Sequence, residues 1–189
     1  PVQDMFNLMT GLNPELAAEL DYGHPSFDVQ FSQHGIRQIE IDVYHDPEGG
    51  LFYNQRGNLF IGLPVPSGIE ELLDPGLKVL HFPDIDYRTH YLTFIDALTA
   101  VKTWSNANSN HIPIFILVEA KEDGLANVYP SLSGFTQPLP FDRDALDAID
   151  ADIRSVFGND LNKVITPDDV RGASESLEAV ILDGGWPTI

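Results

Sequence analysis

The stretch that decides the fold is GIRQIEIDVYHD, residues 35–46. Its apolar side chains alternate with the period of a half-buried β-strand: Ile39, Ile41 and Val43. Two acids, Glu40 and Asp42, stand two residues apart and therefore share the other face of that strand. A strand with one solvated face is the common explanation for such a pattern, so the two acids alone do not define a site.

The composition narrows the class of protein. The 189 residues include 29 acids against ten Lys plus Arg, which gives a net charge of −19, and no cysteine. The negative charge argues against a nucleic-acid partner, because phosphate binding needs clustered basic side chains. The absence of cysteine excludes disulfides and thiolate metal sites. The longest apolar run, residues 112–118, is far shorter than a membrane span and predicts a core strand.

Strands and helices alternate along the chain. The patterns predict strands at 36–44, 77–82, 112–121 and 163–167. They predict helices at 14–20, 26–35, 93–108, 141–158 and 174–183, the first within a loosely structured segment 1–25. Two long loops are expected at 47–76, with a hairpin at 51–53 and 58–61, and at 122–140. The order favours an α/β domain spanning residues 1–189, either a (β/α) barrel or an open doubly wound parallel sheet covered on both faces.

Polar side chains follow three consecutive predicted strands. Asp42, His81 and Glu119 are separated by 39 and 38 residues, which is about one βα unit each. Because parallel strands end on the same side of a sheet, we expect these residues to meet at one rim, where (β/α) barrels build active sites. Lys121 lies two residues after Glu119 and shares its face, although a plain ion pair would also explain that spacing.

The grouped residues suggest a metal site with an acid–base group beside it. Three acids offer hard oxygen ligands: Glu40, Asp42 and Glu119. Neighbouring carboxylates repel each other unless a proton or a cation intervenes, and oxygen ligands without a nearby thiol suit Ca²⁺ or Mg²⁺. His81 beside such a cation is a natural general acid or base. Asp84 and Asp86 follow His81 closely, and they either orient it or belong to a loop surface.

At these residues the sequence resembles the phosphatidylinositol-specific phospholipase C-like phosphodiesterases, and within them the calcium-dependent bacterial and fungal group. The resemblance runs through four segments: LDYGHPSFDVQFSQHGIRQIEIDVYHDPEGGL, VLHFPDIDYRTHYLTFIDALTAVKTWSNANSNHIPIFILVEAK, ITPDDVRG and GWPTI. They cover most of the chain.

The resemblance implies a distorted (β/α)₈ TIM barrel with Ca²⁺ at the strand ends. Glu40, Asp42 and Glu119 match calcium ligands of the family. His81 matches its second catalytic histidine. Lys121 resembles a lysine that contacts phosphate in the related glycerophosphodiester phosphodiesterases.

The sequence also departs from the family pattern. Family members open with a strand that ends in an H-N-S-Y-like motif, which supplies the first catalytic histidine and an asparagine ligand. That motif does not occur here, and family members continue beyond GWPTI. We therefore expect an incomplete barrel that lacks its first and last strands.

The implied activity is calcium-dependent cleavage of phosphatidylinositol-type phospholipids to diacylglycerol and an inositol phosphate. We expect a phospholipid or other phosphodiester substrate, transient contact with a membrane surface, and a secreted or extracytoplasmic location. The alternatives are a glycerophosphodiester or sphingolipid phosphodiesterase with the same metal site, and an inactive barrel fragment that acts as a binding module. A carbohydrate-active barrel, with Glu40 and Glu119 as acid and nucleophile, is a further alternative.

Overall fold

A computed structural model describes residues 3–130 and 134–185, except for the side chains of Leu16 and Glu19. The strands are β1 Gln38–Tyr44, β2 Lys78–Val79 and β3 Phe115–Ala120. The helices are α1 Gln3–Leu12, α2 Pro14–Glu19, α3 Phe27–Ser32, α4 Phe94–Ala107, α5 Leu125–Val128, α6 Arg143–Phe157, α7 Pro167–Arg171 and α8 Leu177–Leu182. Three 3₁₀ helices lie at Arg56–Ile61, Glu70–Leu73 and Gly158–Lys163.

The three strands form one sheet in the order β2-β1-β3. β1 runs parallel to β3, with a register that pairs Asp42 with Glu119. It runs antiparallel to β2, with Tyr44 paired to Lys78. The described residues thus confirm a mixed α/β fold, and they form a small open sheet rather than a closed barrel.

The antiparallel direction of β2 corrects the expected all-parallel rim. The loop after β1 returns the chain directly beside the end of that strand, and an antiparallel neighbour needs no crossover helix. Val79 pairs with Val43, so the chain after β2 runs back along β1. His81 therefore approaches β1 from the side and does not share a carboxyl-terminal edge with it.

The core lies between one face of the sheet and the helices α3, α4 and α6. α4 begins at the cap residue Thr93, whose hydroxyl accepts a hydrogen bond from the backbone of Asp96. Its buried stripe packs against the apolar face of β1: Phe94, Ala97, Leu98, Val101 and Trp104. The predicted helices 93–108 and 141–158 are confirmed, because their apolar spacing matches the face that they bury.

Two other predicted elements are wrong. Residues 163–167 do not form a strand, because Thr166 and Asp169 make a capping box and Pro167 starts α7. The hairpin at 51–53 and 58–61 is replaced by a 3₁₀ helix and a single bridge between Asn54 and Pro66.

The segment 1–25 is more ordered than expected. Its described part contains α1 and α2, and Met5 and Met9 of α1 are buried in a second cluster with Ile85 and Leu125. This cluster lies under the turn that carries the residues after His81.

Among the described residues, the second face of the sheet is open. Phe115 is 67% exposed and Leu117 is 53% exposed, and both share a face with Glu40 and Asp42. The strand predicted at 112–121 is confirmed as β3, and one of its faces packs on the core through Ile116 and Val118. The expectation that the sheet is covered on both faces is wrong for the described residues. No helix within those residues has the length and apolar character to cross a membrane.

Candidate metal centre and phosphodiester site

The register of β1 and β3 brings three predicted acids together. Asp42 and Glu119 are direct partners across the strands, and Glu40 lies two residues earlier on the same face. One carboxylate oxygen from each of the three lies within 4.8 Å of the others. A parallel pair of strands is thus sufficient to assemble the cluster that the sequence indicated, and we call these three residues the acid cluster.

Lys121 places a positive charge next to the acid cluster. Its Nζ lies 3.6 Å from Oδ2 of Asp42 and 3.4 Å from Oε1 of Glu119. Its backbone N–H donates to the carbonyl oxygen of Val43, which continues the parallel ladder one step beyond β3. The ammonium therefore sits among carboxylates at the end of the sheet.

The acids change one another's proton affinity. A hydrogen bond with Glu119, and then burial, raise the pKa of Glu40. Burial raises the pKa of Asp42 against the opposing charge of Lys121. Burial also acts to raise the pKa of Glu119, but its hydrogen bond with Glu40 and the charge of Lys121 outweigh that effect and lower it. A proton shared by these acids would therefore be held preferentially by Glu40, and a divalent cation would compete with that proton.

His81 lies within electrostatic reach of the acid cluster, because its charge acts to lower the pKa of Asp42. Its Nδ1 lies 3.0 Å from Oδ2 of Asp86, and its side chain is 38% exposed. The ring edge of Tyr22 packs against it, with 5.9 Å between ring centroids. Of the two alternatives for Asp86, the structure thus shows the one in which this residue contacts His81.

Two tyrosines at the site were missed from the sequence. The hydroxyl of buried Tyr44 donates to the carbonyl oxygen of Asp123 at 2.9 Å and lies 3.3 Å from that of His81. Burial, and the charges of Asp86 and Asp42, raise the pKa of Tyr22 to about 12. Tyr44 ends the strand pattern and was identifiable as a core residue, whereas Tyr22 lies in a loop without a periodic signal.

An open cleft adjoins the cluster. It has a volume of about 360 Å³, and its walls include Phe82, Glu119, Lys121, Asn127 and Val128. The cleft is thus lined by the carboxylate of Glu119 and the ammonium of Lys121, and His81 precedes its wall residue Phe82 in the chain. This combination is typical of enzymes that cleave phosphodiesters with the help of a metal ion.

Comparison with known proteins agrees with that class. A family model described as phosphoinositide phospholipase C, Ca²⁺-dependent, matches residues 2–189, and the chain belongs to this family. No curated protein and no solved structure matches the chain. The family confirms calcium as the cofactor, and an acid cluster of hard oxygen donors without a thiolate fits that ion.

Proposed function

We propose that the protein cleaves phosphatidylinositol-type phospholipids to diacylglycerol and an inositol phosphate in a Ca²⁺-dependent reaction. One observation carries the proposal: β1 and β3 hold three carboxylates within 4.8 Å of one another, beside Lys121 and within reach of His81. Membership of the calcium-dependent phospholipase C family supports the same reaction class.

In this proposal the acid cluster binds the metal. Glu40, Asp42 and Glu119 would hold Ca²⁺ with carboxylate oxygens after losing the shared proton. When bound, the ion would neutralise charge on the phosphoryl oxygens and lower the pKa of the attacking inositol hydroxyl. The direct pairing of Asp42 with Glu119 fixes the spacing of two ligands through backbone hydrogen bonds.

Lys121 would bind the phosphate of the substrate. Its ammonium has three donors and lies on a wall of the cleft. In the free protein those donors face Asp42 and Glu119. The Lys121 ammonium could turn from these carboxylates toward a phosphoryl oxygen, and it would have a negatively charged partner in both positions.

His81 would be the general acid. The attacking inositol hydroxyl would lose its proton to a general base, the role that the resemblance gives to the family's first catalytic histidine, as its oxygen bonds to phosphorus. The bond from phosphorus to the glycerol oxygen would then break, and protonated His81 would donate its proton to that leaving oxygen. The His81 side chain is 38% exposed, so the edge of its ring that faces away from Asp86 is accessible to a lipid substrate.

The proposal is tested by turnover on phosphatidylinositol vesicles, with calcium and with a chelator, using the full-length protein. His81→Ala is expected to lower kcat at least ~10²-fold, which is the usual contribution of general acid–base catalysis. The exposed His34, replaced by Ala, is the matched control. Near-wild-type turnover of His81→Ala would exclude this role.

Product analysis separates the related alternatives. Glycerophosphodiesters and sphingomyelin are offered in parallel with phosphatidylinositol, and a preference for either would replace the proposed substrate. Calcium binding without any turnover would favour the binding module. The carbohydrate-active alternative has less support, because carboxylate oxygens of Glu40 and Glu119 lie within 4.8 Å of each other and of Asp42, whereas glycosidases keep their two carboxyl groups roughly 5–10 Å apart around a sugar.

The substrate also implies contact with a membrane surface, which we propose to be transient. Val128, on the wall of the cleft, is 54% exposed and its neighbour Tyr129 is 42% exposed, so apolar surface adjoins the entrance. The net charge of −19 opposes electrostatic attraction to anionic lipids. A secreted or extracytoplasmic location stays a prediction.

A further inference from the structure

We propose that Asp86 is a positioning residue that fixes the tautomer and orientation of His81, and that the tight turn between the two residues is built to hold it there. The inference rests on the proposed function for the catalytic role of His81. It concerns a residue that touches the imidazole and does not itself contact the reacting atoms.

The contact between the two side chains defines which ring nitrogen is free. Oδ2 of Asp86 lies 3.0 Å from Nδ1 of His81. Although burial acts to raise the pKa of Asp86, its hydrogen bond with His81 contributes to a net lowering, so the carboxyl is ionised and can only accept a hydrogen bond. The proton therefore stays on Nδ1, and Nε2 is left to exchange a proton with a substrate.

The backbone sets the distance between the two side chains. Phe82 and Asp86 exchange two backbone hydrogen bonds, each of 2.9 Å, so only three residues lie in the turn between them. At its centre, Asp84 has a φ of 71°, the left-handed conformation that non-glycine residues seldom adopt. Such conformations persist where the surrounding structure imposes them, commonly at functional sites.

The side chain of Asp84 anchors this turn from inside the protein. Its Oδ1 accepts a hydrogen bond from the backbone of Arg56 at 2.7 Å, and its Oδ2 accepts one from the backbone of Thr136 at 2.9 Å. The backbone N–H of Asp84 donates to the side chain of buried Gln55 at 2.5 Å. The turn is thus fixed to two separate loops, and the position of Asp86 follows from it.

Gly57 makes this close approach possible. A Cβ at residue 57 would lie 2.1 Å from the carbonyl oxygen of Asp84, which is far below contact distance. The 3₁₀ helix that carries Gly57 can therefore pack directly on the turn. The orientation of His81 thus depends on contacts that lie behind it, away from the cleft.

The tautomer of His81 is measured directly by ¹⁵N NMR of histidine-labelled protein, without substrate or metal. At a pH high enough to deprotonate the ring, the wild type is expected to keep its one remaining ring proton on Nδ1. Asp86→Ala is expected to shift the ring toward the Nε2-protonated form, and Asp86→Asn to give an intermediate population because its amide oxygen can still accept. Asp160→Asn, which alters an ion-paired carboxylate at Lys102 and Lys163, is the control and should leave the spectrum unchanged.

Kinetics give the second measurement. We expect kcat on phosphatidylinositol vesicles to fall ~10²-fold or more in Asp86→Ala, with KM little changed, and Asp86→Asn to recover part of the loss. Asp86→Asn is nearly isosteric and keeps the test valid if the alanine variant fails to fold. If the tautomer of His81 is unchanged in both Asp86 variants, the inference is overturned, whatever turnover those variants show. A shifted tautomer in a protein without turnover supports the positioning role and counts against the proposed function.

Discussion

The ammonium of Lys121 lies 3.6 Å from Oδ2 of Asp42, in the same group of carboxylates that would bind a metal ion. Its positive charge neutralises part of the acid cluster and opposes any second cation. The same charge is available to a phosphate group. In the proposed function, Lys121 would therefore weaken metal binding while it favours substrate binding, and the two effects can be separated experimentally.

Lys121→Met is expected to tighten calcium binding and to lower turnover. Two unit charges ~4 Å apart interact by about 1 kcal/mol in water, and a divalent ion doubles that figure, so the calcium Kd should fall at least about fivefold. Loss of one donor to a developing phosphoryl charge should lower kcat ~10²-fold. Titration calorimetry and the vesicle assay measure the two effects. Lys163→Met, which removes an exposed ion pair with Asp160, is the control, and weaker calcium binding in Lys121→Met would contradict the prediction.

The thermal stabilisation by calcium should grow as the pH rises through the carboxyl range. The pKa values of Glu40 and Asp42 are raised in the ion-free protein, so the folded state binds more protons there than the unfolded chain. Their contribution to stability is therefore present at low pH and decreases as these acids ionise. Calcium binds the ionised form and offsets this loss.

The measurement is the Tm with calcium and with a chelator at about pH 5 and about pH 7.5. In Glu40→Gln the difference should be small at both values, because one ligand and the shared proton are lost together. If calcium raises the Tm of the wild type and of Glu40→Gln equally, Glu40 is not a ligand.

Tyr44→Phe should loosen the site without altering the acid cluster or His81. The variant loses the hydrogen bond to the carbonyl of Asp123 and the contact with that of His81, and it leaves these partly buried carbonyl groups without that donor. We expect a loss of about 1–2 kcal/mol in the free energy of unfolding and a lower kcat. Tyr53→Phe is the control, since its half-buried hydroxyl has no hydrogen bond among the described residues. Urea unfolding measures the stability, and vesicle turnover measures kcat. Equal losses in Tyr44→Phe and Tyr53→Phe would contradict the prediction.

The buried pair Asp46 and Lys78 should be strongly coupled. Their charged atoms lie 3.6 Å apart, and the side chains are 3% and 0% exposed. Burial raises the pKa of Asp46 and lowers the pKa of Lys78, so each charge depends on the other. Asp46→Asn or Lys78→Met alone should cost about 3 kcal/mol, because one buried charge then loses its partner.

The double variant tests that coupling. Asp46→Asn with Lys78→Met should cost clearly less than the two single variants added together, as denaturant unfolding would measure. Strict additivity would mean that the carbonyl groups of Asp74 and Gly76, which also accept from Lys78, are sufficient partners for its ammonium.

Elements with a local signal were predictable from the sequence. The period-2 alternation identified β1, and the period-3.6 stripes identified α4 and α6, because burial of one face imposes those periods. The acid cluster was predictable as well, since it needs only β1 and β3 to be parallel neighbours. Its three members are the residues that the sequence indicated.

Features that depend on tertiary pairing were not predictable. The direction of β2 follows from where the loop 47–76 returns the chain, and no residue within 77–82 encodes it. The exposure of Phe115 depends on what lies over the sheet, which periodicity does not report. The contact between Asp86 and His81 was one of two alternatives, and the left-handed backbone at Asp84 decides between them.

The anchoring of Asp84 also orders the events of folding. Its carboxylate joins backbone groups that lie 28 and 52 residues away along the chain. Long loops must close before such bonds can form, and this delays them relative to local structure. The pairing of β1 with β3 closes a longer loop still, because Asp42 and Glu119 lie farther apart in the chain than either of these pairs. Both the acid cluster and the fixed geometry of His81 therefore wait for long-range contacts, and a chain that has formed only its local helices has neither.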